Sequence, residues 1–129
     1  MLVDTHVLLW TLFEPERLSA SAYDLLGSSE NLVLFSAASI WEISIKIGTG
    51  RLNLVATAEQ ILAAALELGF EELPVRARTT LRVATLPMHH RDPFDRLLVA
   101  QAMDEPATLL TADAMLARYS ELVSIVTPR

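Results

Sequence analysis

The chain contains no cysteine, which excludes disulfide bonds and thiolate metal sites. It also lacks any apolar run of the ~18–20 residues that a membrane-spanning helix needs. The first residues reach Asp4 without a basic segment before it, so we expect no secretory signal peptide. Together these absences favour a protein of the reducing cytoplasm that does not associate with membranes.

The composition is apolar, with 52% hydrophobic residues among 129 and a mean hydropathy of +0.37. This length and apolar content predict a single compact domain over residues 1–129. A net charge of −6 argues against nucleic-acid binding. However, half of the basic side chains lie in one stretch, opposed there only by two aspartates: Arg76, Arg78, Arg82, Arg91 and Arg96. This basic stretch is either a nucleic-acid contact or an ordinary solvated surface.

Short apolar segments alternate with longer segments of helical pattern along the chain. The predicted strands cover residues 2–3, 32–35, 70–73, 107–110 and 123–126. The predicted helices cover residues 6–13, 20–26, 37–47, 58–68 and 75–84, a helix from residue 93, and a short helix ending near residue 119. This alternation is typical of βαβ units. The sequence therefore predicts a three-layer α/β/α fold with a central parallel sheet of about five strands flanked by helices.

The segment HHRDPFDRLLVAQA, residues 89–102, concentrates charge at the start of a buried helix. Asp92 suits the N-cap, Pro93 the first helical position, and Asp95 the third. Carboxylates there can simply stabilise the positive end of the helix dipole. They can also form half of a metal site, and the rest of the chain has to decide between these interpretations.

Four acidic residues are predicted to reach the same edge of the sheet. Asp4 directly follows the first strand, and Asp113 follows the fourth strand by two residues. Asp95 opens a helix that runs back over that edge, and Glu42 lies ~9 Å along the helix after the second strand. Because open α/β sheets build their sites outside the carboxyl ends of the strands, we expect these acids to converge.

Each of these acids also has an ordinary structural interpretation. Asp4, Asp95 and Asp113 could each cap or start a helix, and Glu42 could pair with Lys46 one turn later. Their convergence favours a shared site, because clustered carboxylates raise one another's pKa unless a cation neutralises them. Ligation by oxygen alone suits Mg²⁺ or Mn²⁺ rather than zinc. Such a site can hydrolyse phosphodiester bonds.

The chain resembles a known family in four segments, which occur in that family's order and together span most of the sequence. They read LVDTHVLLW, SAASIWEISIKIGTGRL, LPMHHRDPFDRLLVAQA and TLLTADAML. The resemblance is to the PIN domain, specifically to the VapC-type ribonuclease toxins of bacterial and archaeal toxin–antitoxin pairs. It implies an endoribonuclease dependent on Mg²⁺ or Mn²⁺. By position it assigns the catalytic and metal-binding roles to Asp4, Glu42, Asp95 and Asp113.

The resemblance also suggests several supporting residues. Asp92 is mainly an N-cap but is also a candidate support for the metal site, and Thr111 could orient a carboxylate or water or be a simple strand-end residue. Arg96 could neutralise Asp95 or hold an RNA phosphate. The candidates for RNA contact are Lys46, His90 and Arg91, for which an ordinary polar surface is the alternative.

Other residues near these motifs are expected to be structural. We expect His6 to play a structural role, and Trp10 and Trp41 to lie in the core or an interface rather than to stack on bases.

The resemblance further implies three binding partners. These are an RNA substrate, a cognate VapB-type antitoxin and a second copy of the chain in a homodimer. The apolar helix around Leu8, Leu9, Leu12 and Phe13 could serve such contacts, or could only pack in the core.

Two alternatives from other classes remain open. A phosphotransfer or phosphatase domain also places an aspartate after its first strand, but dehalogenase-like phosphatases need a second aspartate where His6 stands. The other alternative is a non-catalytic binding module with the same fold. RNA cleavage that needs both metal and Asp4 or Asp95 would separate the nuclease from both.

Overall fold

A five-stranded parallel sheet forms the centre of the protein, in a computed structural model that describes residues 1–126. Along the sheet the strand order is β3-β2-β1-β4-β5. The strands are β1 (Leu2–Val3), β2 (Leu34–Ser36), β3 (Glu71–Leu73), β4 (Leu109–Thr111) and β5 (Val123–Ile125). The predicted α/β/α fold with about five parallel strands is confirmed. Residues 127–129 of the predicted domain lie outside the described residues.

Helices connect the strands. They are α1 (Thr5–Phe13), α2 (Ala20–Gly27), α3 (Ala37–Gly48), α4 (Ala58–Glu67), α5 (Ala77–Thr85) and α6 (Pro93–Asp104). Two short 3₁₀ turns cover Pro15–Arg17 and Ala114–Arg118. The predicted N-cap Asp92 accepts a backbone N–H of the helix that it precedes, and Ser19, Ser36 and Thr57 cap their helices in the same way. Within residues 1–126, no helix combines the length and hydropathy required to cross a membrane.

The central strand β1 positions the site. Leu2 and Val3 are fully buried, and β1 pairs with β2 on one side and with β4 on the other. The chain leaves β1 towards β2 and reaches β4 only after α6, so the strand order changes direction at β1. A crevice for a ligand forms at such a point, outside the carboxyl ends of the strands. Asp4 is the residue that follows β1 there.

The structure corrects one burial prediction and several boundaries. We expected Trp41 of α3 to lie in the core or an interface, but it is 62% exposed, and Ile45 on the same helix is 40% exposed. A helix packs against its neighbours along one stripe, so apolar residues spread around its circumference cannot all be covered. Helix α5 begins at Ala77 instead of residue 75, with Arg76 extended at its N-cap. The strands β2 and β4 begin two residues later than predicted.

Candidate metal centre

Asp4 is held at the end of β1 by both of its carboxylate oxygens. Its side chain is buried, with 4% of the residue exposed. Oδ1 accepts a hydrogen bond from the Val7 backbone N at 2.8 Å, and Oδ2 accepts one from Thr111 Oγ1 at 2.5 Å. Burial raises the pKa of Asp4, while the Thr111 hydrogen bond opposes that rise. Asp4 therefore caps α1 with one oxygen and reaches across the sheet with the other.

Thr111 links two of the predicted acids. Its hydroxyl is fully buried; it donates to Asp4 and accepts from the Asp113 backbone N at 3.0 Å. One strand-end hydroxyl thus fixes both the Asp4 carboxylate and the backbone that carries Asp113. This contact supports the orienting role for Thr111 over that of a simple strand-end residue.

Glu42 reaches the same region from α3, with only 2% of the residue exposed. Oε1 accepts a hydrogen bond from Thr5 Oγ1 at 2.6 Å, and Oε2 is paired with the Lys46 ammonium. The intrahelical pair considered from the sequence is therefore present. The charge of Glu42 nevertheless contributes to raising the pKa values of Asp4 and Asp95, so the carboxylate also belongs to the acidic cluster.

His90 joins Asp95 and Asp113. Its Nε2 donates to Asp113 Oδ2 at 2.7 Å and lies 3.6 Å from Asp95 Oδ2. Its Nδ1 accepts from the Asp92 backbone N at 3.0 Å, which assigns the ring hydrogen to Nε2. One potential ligand atom from each of His90, Asp95 and Asp113 lies within 4.8 Å of the other two. Because Nε2 carries the hydrogen, the ring acts as a donor and the carboxylate oxygens are the available metal ligands.

The charges around Asp95 show how well a cation would fit. Burial, together with the charges of Asp92, Asp4 and Glu42, raises the pKa of Asp95 to about 7, and His90 only partly opposes this. The acids at this edge therefore lack enough positive charge to be ionised together. Their donor set, which is all oxygen, fits a hard divalent cation such as Mg²⁺ or Mn²⁺.

A cavity of about 260 Å³, which we call the acid cleft, opens at these carboxylates. It is lined by Asp4, His6, Trp10, Asp95, Ala112 and Asp113. His6 and Trp10 were expected to be structural or to lie in the core, yet both border the cleft. His6 and Trp10 are four residues apart in the helix that follows Asp4, so they lie on the same face of α1. This spacing is a sequence signal from which their position beside Asp4 could have been inferred.

Arg96 and Asp92, which were predicted as supporting residues, both form hydrogen bonds with backbone groups. Arg96 donates from Nη2 to the backbone oxygens of Val83 and Leu86 at 3.1 and 2.9 Å, so it binds the end of α5. Within residues 1–126 it makes no ion pair with Asp95. Asp92 Oδ1 accepts from the Phe94 backbone N at 2.8 Å.

One basic and one aromatic side chain lie on the surface near the start of α6. Arg91 is exposed on the loop before α6. Trp41, expected in the core or an interface, is exposed and packs edge-on against Phe94 with ring centroids 5.3 Å apart.

Tyr119 supports the His90 loop and was missed by sequence reasoning. Its hydroxyl oxygen accepts from the backbone N of His89 at 3.0 Å and of His90 at 2.8 Å, and its ring packs edge-on against His89. These contacts fix the backbone that directs His90 towards the carboxylates. No local pattern indicates them, because Tyr119 is separated from His90 by 29 residues.

Comparison with known proteins agrees with this architecture. The model of a family described as the PIN domain matches residues 1–122. A chain from the crystal structure of VapBC2 from Rickettsia felis, solved with a DNA fragment from its promoter, superposes with a TM-score of 0.66. The two chains share 17% sequence identity, over 99% of this chain and 98% of that one. No curated protein matches the sequence.

Proposed function

The chain belongs to the PIN domain family, and on that premise we propose that it is a metal-dependent endoribonuclease that hydrolyses RNA phosphodiester bonds. The observation that carries the proposal is the acid cleft itself. It holds Asp4, Asp95 and Asp113 with too little positive charge, so that the pKa of Asp95 is raised to about 7. A structural cluster would pair these acids with cations of the chain.

In this proposal Asp4, Glu42, Asp95 and Asp113 hold Mg²⁺ or Mn²⁺. When bound, the ion would lower the pKa of a coordinated water and stabilise negative charge on phosphate oxygens. Thr111 keeps the Asp4 carboxylate in place through its hydrogen bond. Lys46 pairs with one carboxylate oxygen of Glu42 and the Thr5 hydroxyl donates to the other, so this acid would bind the ion with both oxygens already hydrogen-bonded.

The polar residues at the mouth of the cleft would bind the RNA backbone. His90 lies at this mouth, and its Nε2–H would have to leave Asp113 Oδ2 before a phosphate oxygen could accept it. Arg91 is exposed beside it and offers a guanidinium for the next phosphate. Asp92 supports both by accepting the first backbone N–H groups of α6, which keeps Asp95 facing the cleft.

We further propose that the protein is a VapC-type toxin acting in the cytoplasm. The structural neighbour comes from a complex named VapBC2, and this likeness supports a VapB-type antitoxin as partner. A homodimer is the proposed assembly, with Leu9, Leu12 and Phe13 of α1 among the apolar side chains available for contacts. Leu8 is fully buried in the core and does not contribute.

Cleavage of total RNA by purified, antitoxin-free protein tests the activity. The reaction is run with Mg²⁺, with Mn²⁺ and with EDTA, using wild type, Asp95→Asn and Asp104→Asn. Asp104 lies at the other end of α6 and serves as the matched control. We expect discrete fragments that need metal, a loss of at least about 100-fold for Asp95→Asn, equal to ~2.7 kcal/mol of transition-state stabilisation, and no loss for Asp104→Asn.

The controls separate the alternatives. Equal cleavage by wild type and Asp95→Asn would identify a contaminating nuclease and reject the proposal. Folded protein that binds RNA or an antitoxin but cleaves nothing with either metal would favour the non-catalytic binding module.

A further inference from the structure

A second cavity lies next to the acid cleft along α1. This cavity, which we call the α1 pocket, has a volume of about 250 Å³. His6 and Trp10 line both the acid cleft and the α1 pocket. The pocket's remaining lining includes Phe13 and Arg17 on one side and the segment 52–54 on the other. The two cavities therefore meet at His6 and Trp10, so a group bound in one lies next to the other.

The walls of the α1 pocket are flat. The Arg17 guanidinium lies over the Trp10 ring, 4.9 Å from its centroid, and Glu14 holds it with an N–O distance of 3.0 Å. The His6 ring is tilted by 53° from Trp10, with centroids 6.2 Å apart. Nucleobases stack on aromatic rings and on arginine planes of this kind.

The charge of the pocket favours a base over a phosphate. Among the residues of 1–126 that line the pocket, Arg17 is the only lysine or arginine, and Glu14 already opposes its charge. Leu52 and Leu54 add apolar surface, while the exposed Asn53 offers both a donor and an acceptor. A nearly neutral pocket with flat walls and one amide matches a neutral base with polar edges. Its volume falls below the ~300–1,000 Å³ of drug-sized sites, which suits one base.

From these observations we propose that the α1 pocket binds an unpaired base of the RNA, next to the phosphate held in the acid cleft. This inference rests on the proposed nuclease function and adds to it a specific contact for one base of the substrate. Trp10 provides the main stacking surface, and Arg17 and His6 line the pocket around the base. Within a duplex, stacked and paired bases could not reach the pocket, because recognition of this kind needs splayed bases.

The test is a double-mutant cycle between Trp10 and the base. The probes are a fluorescein-labelled ten-nucleotide oligoadenylate and a chain of the same length whose riboses carry no bases. Binding with Mg²⁺ is read by stopped-flow anisotropy before cleavage accumulates. We expect Trp10→Leu to weaken binding of the oligoadenylate by about 5- to 100-fold and to leave the abasic chain unchanged.

Three further variants control for folding and location. Trp10→Phe keeps an aromatic ring and should retain most of the affinity. Trp41→Leu removes an exposed tryptophan that lines neither cavity and should change affinity less than about twofold. Trp41→Phe leaves Trp10 as the only tryptophan, and its fluorescence should be quenched by the oligoadenylate but not by the abasic chain.

The outcomes distinguish this inference from the nuclease proposal. If cleavage needs metal and Asp95 but Trp10→Leu affects both probes equally, the base pocket is refuted and the nuclease stands. If a protein partner occupies the pocket instead, Trp10→Leu will weaken antitoxin binding and leave oligoadenylate binding unchanged, which also refutes the inference. Absence of any metal-dependent cleavage by wild type would reject the nuclease itself.

Discussion

The two ends of α6 carry acids of the same type in opposite electrostatic surroundings. At its start, burial and neighbouring acids raise the pKa of Asp95 to about 7. At its end, a hydrogen bond from Thr79 and the charge of Arg82 lower the pKa of Asp104. Both aspartates lie on one helix of 12 residues. An acid surrounded by other acids calls for an external cation, whereas an acid beside arginines is already neutralised by the chain.

This difference also bears on the basic stretch identified in the sequence. Arg82 is paired with Asp104, and Arg76 lies 3.8 Å from Glu105. Both pairs are at the end of α6 remote from Asp95. Arg76 and Arg82 therefore pair with acids at the end of α6, and ion pairs on the surface contribute little stability. Arg91, on the loop before α6, remains the member of the stretch best placed for the proposed contact with RNA.

The largest expected effect tests whether a threonine supports metal binding only at the Asp95 end of α6. Thr111→Val removes the hydroxyl that holds Asp4 and the Asp113 backbone, and we expect Mn²⁺ affinity to fall about 10- to 100-fold. Thr79→Val removes the corresponding contact to Asp104 and should leave Mn²⁺ affinity unchanged. Isothermal titration calorimetry measures both. Equal losses in the two variants would mean that general destabilisation, rather than orientation of Asp4, explains the effect.

The next effect is the pH dependence of metal binding. The raised pKa of Asp95 means that below about pH 7 a metal ion must displace a proton. Mn²⁺ affinity should therefore rise by up to about tenfold per pH unit below pH 7 and level off above it. Asp95→Asn should lower the affinity and reduce this slope, while Asp104→Asn should keep the wild-type profile. A profile with no inflection near pH 7 would contradict the assigned surroundings of Asp95.

The smallest effect concerns stability without metal. The folded pKa of Asp95 exceeds its unfolded value, so the folded state binds the proton more tightly and loses stability as pH rises from about 4 to 7. At pH 8 Asp95→Asn should raise the free energy of unfolding on the order of 2 kcal/mol, less than the full pKa shift implies because Asp95 is partly exposed. Urea unfolding in EDTA measures this.

The matched change at the other end should act in the opposite direction. Asp104 has a lowered pKa, so it stabilises the fold above its unfolded pKa and loses that contribution as pH falls through the folded value. Asp104→Asn should therefore lower stability slightly at pH 8 and have no effect at the acid limit. If Asp95→Asn instead lowers the free energy of unfolding at pH 8, the opposite electrostatic surroundings assigned to the two ends of α6 are wrong.

Much of the fold could be predicted because its signals are local. Ser36, Thr57 and Asp92 cap helices where their sequence neighbours indicate, and the apolar residues of β1 and β4 and Phe35 of β2 are buried. Strand boundaries were less accurate, because strand ends depend on pairing with the two-residue β1. The exposure of Trp41 was missed for a related reason: hydropathy does not show which side of a helix has a neighbour.

The sequence by itself determined the parallel α/β architecture, the helix starts, and the expectation that Asp4, Asp95 and Asp113 approach one edge. These depend on periodicity, capping residues and the rule that parallel strands end together. Only the tertiary structure decided that His90 donates to Asp113, that Tyr119 holds the His90 loop, and that Trp10 borders two cavities. Such contacts join residues far apart in the chain, and their geometry depends on how helices and loops pack on the sheet.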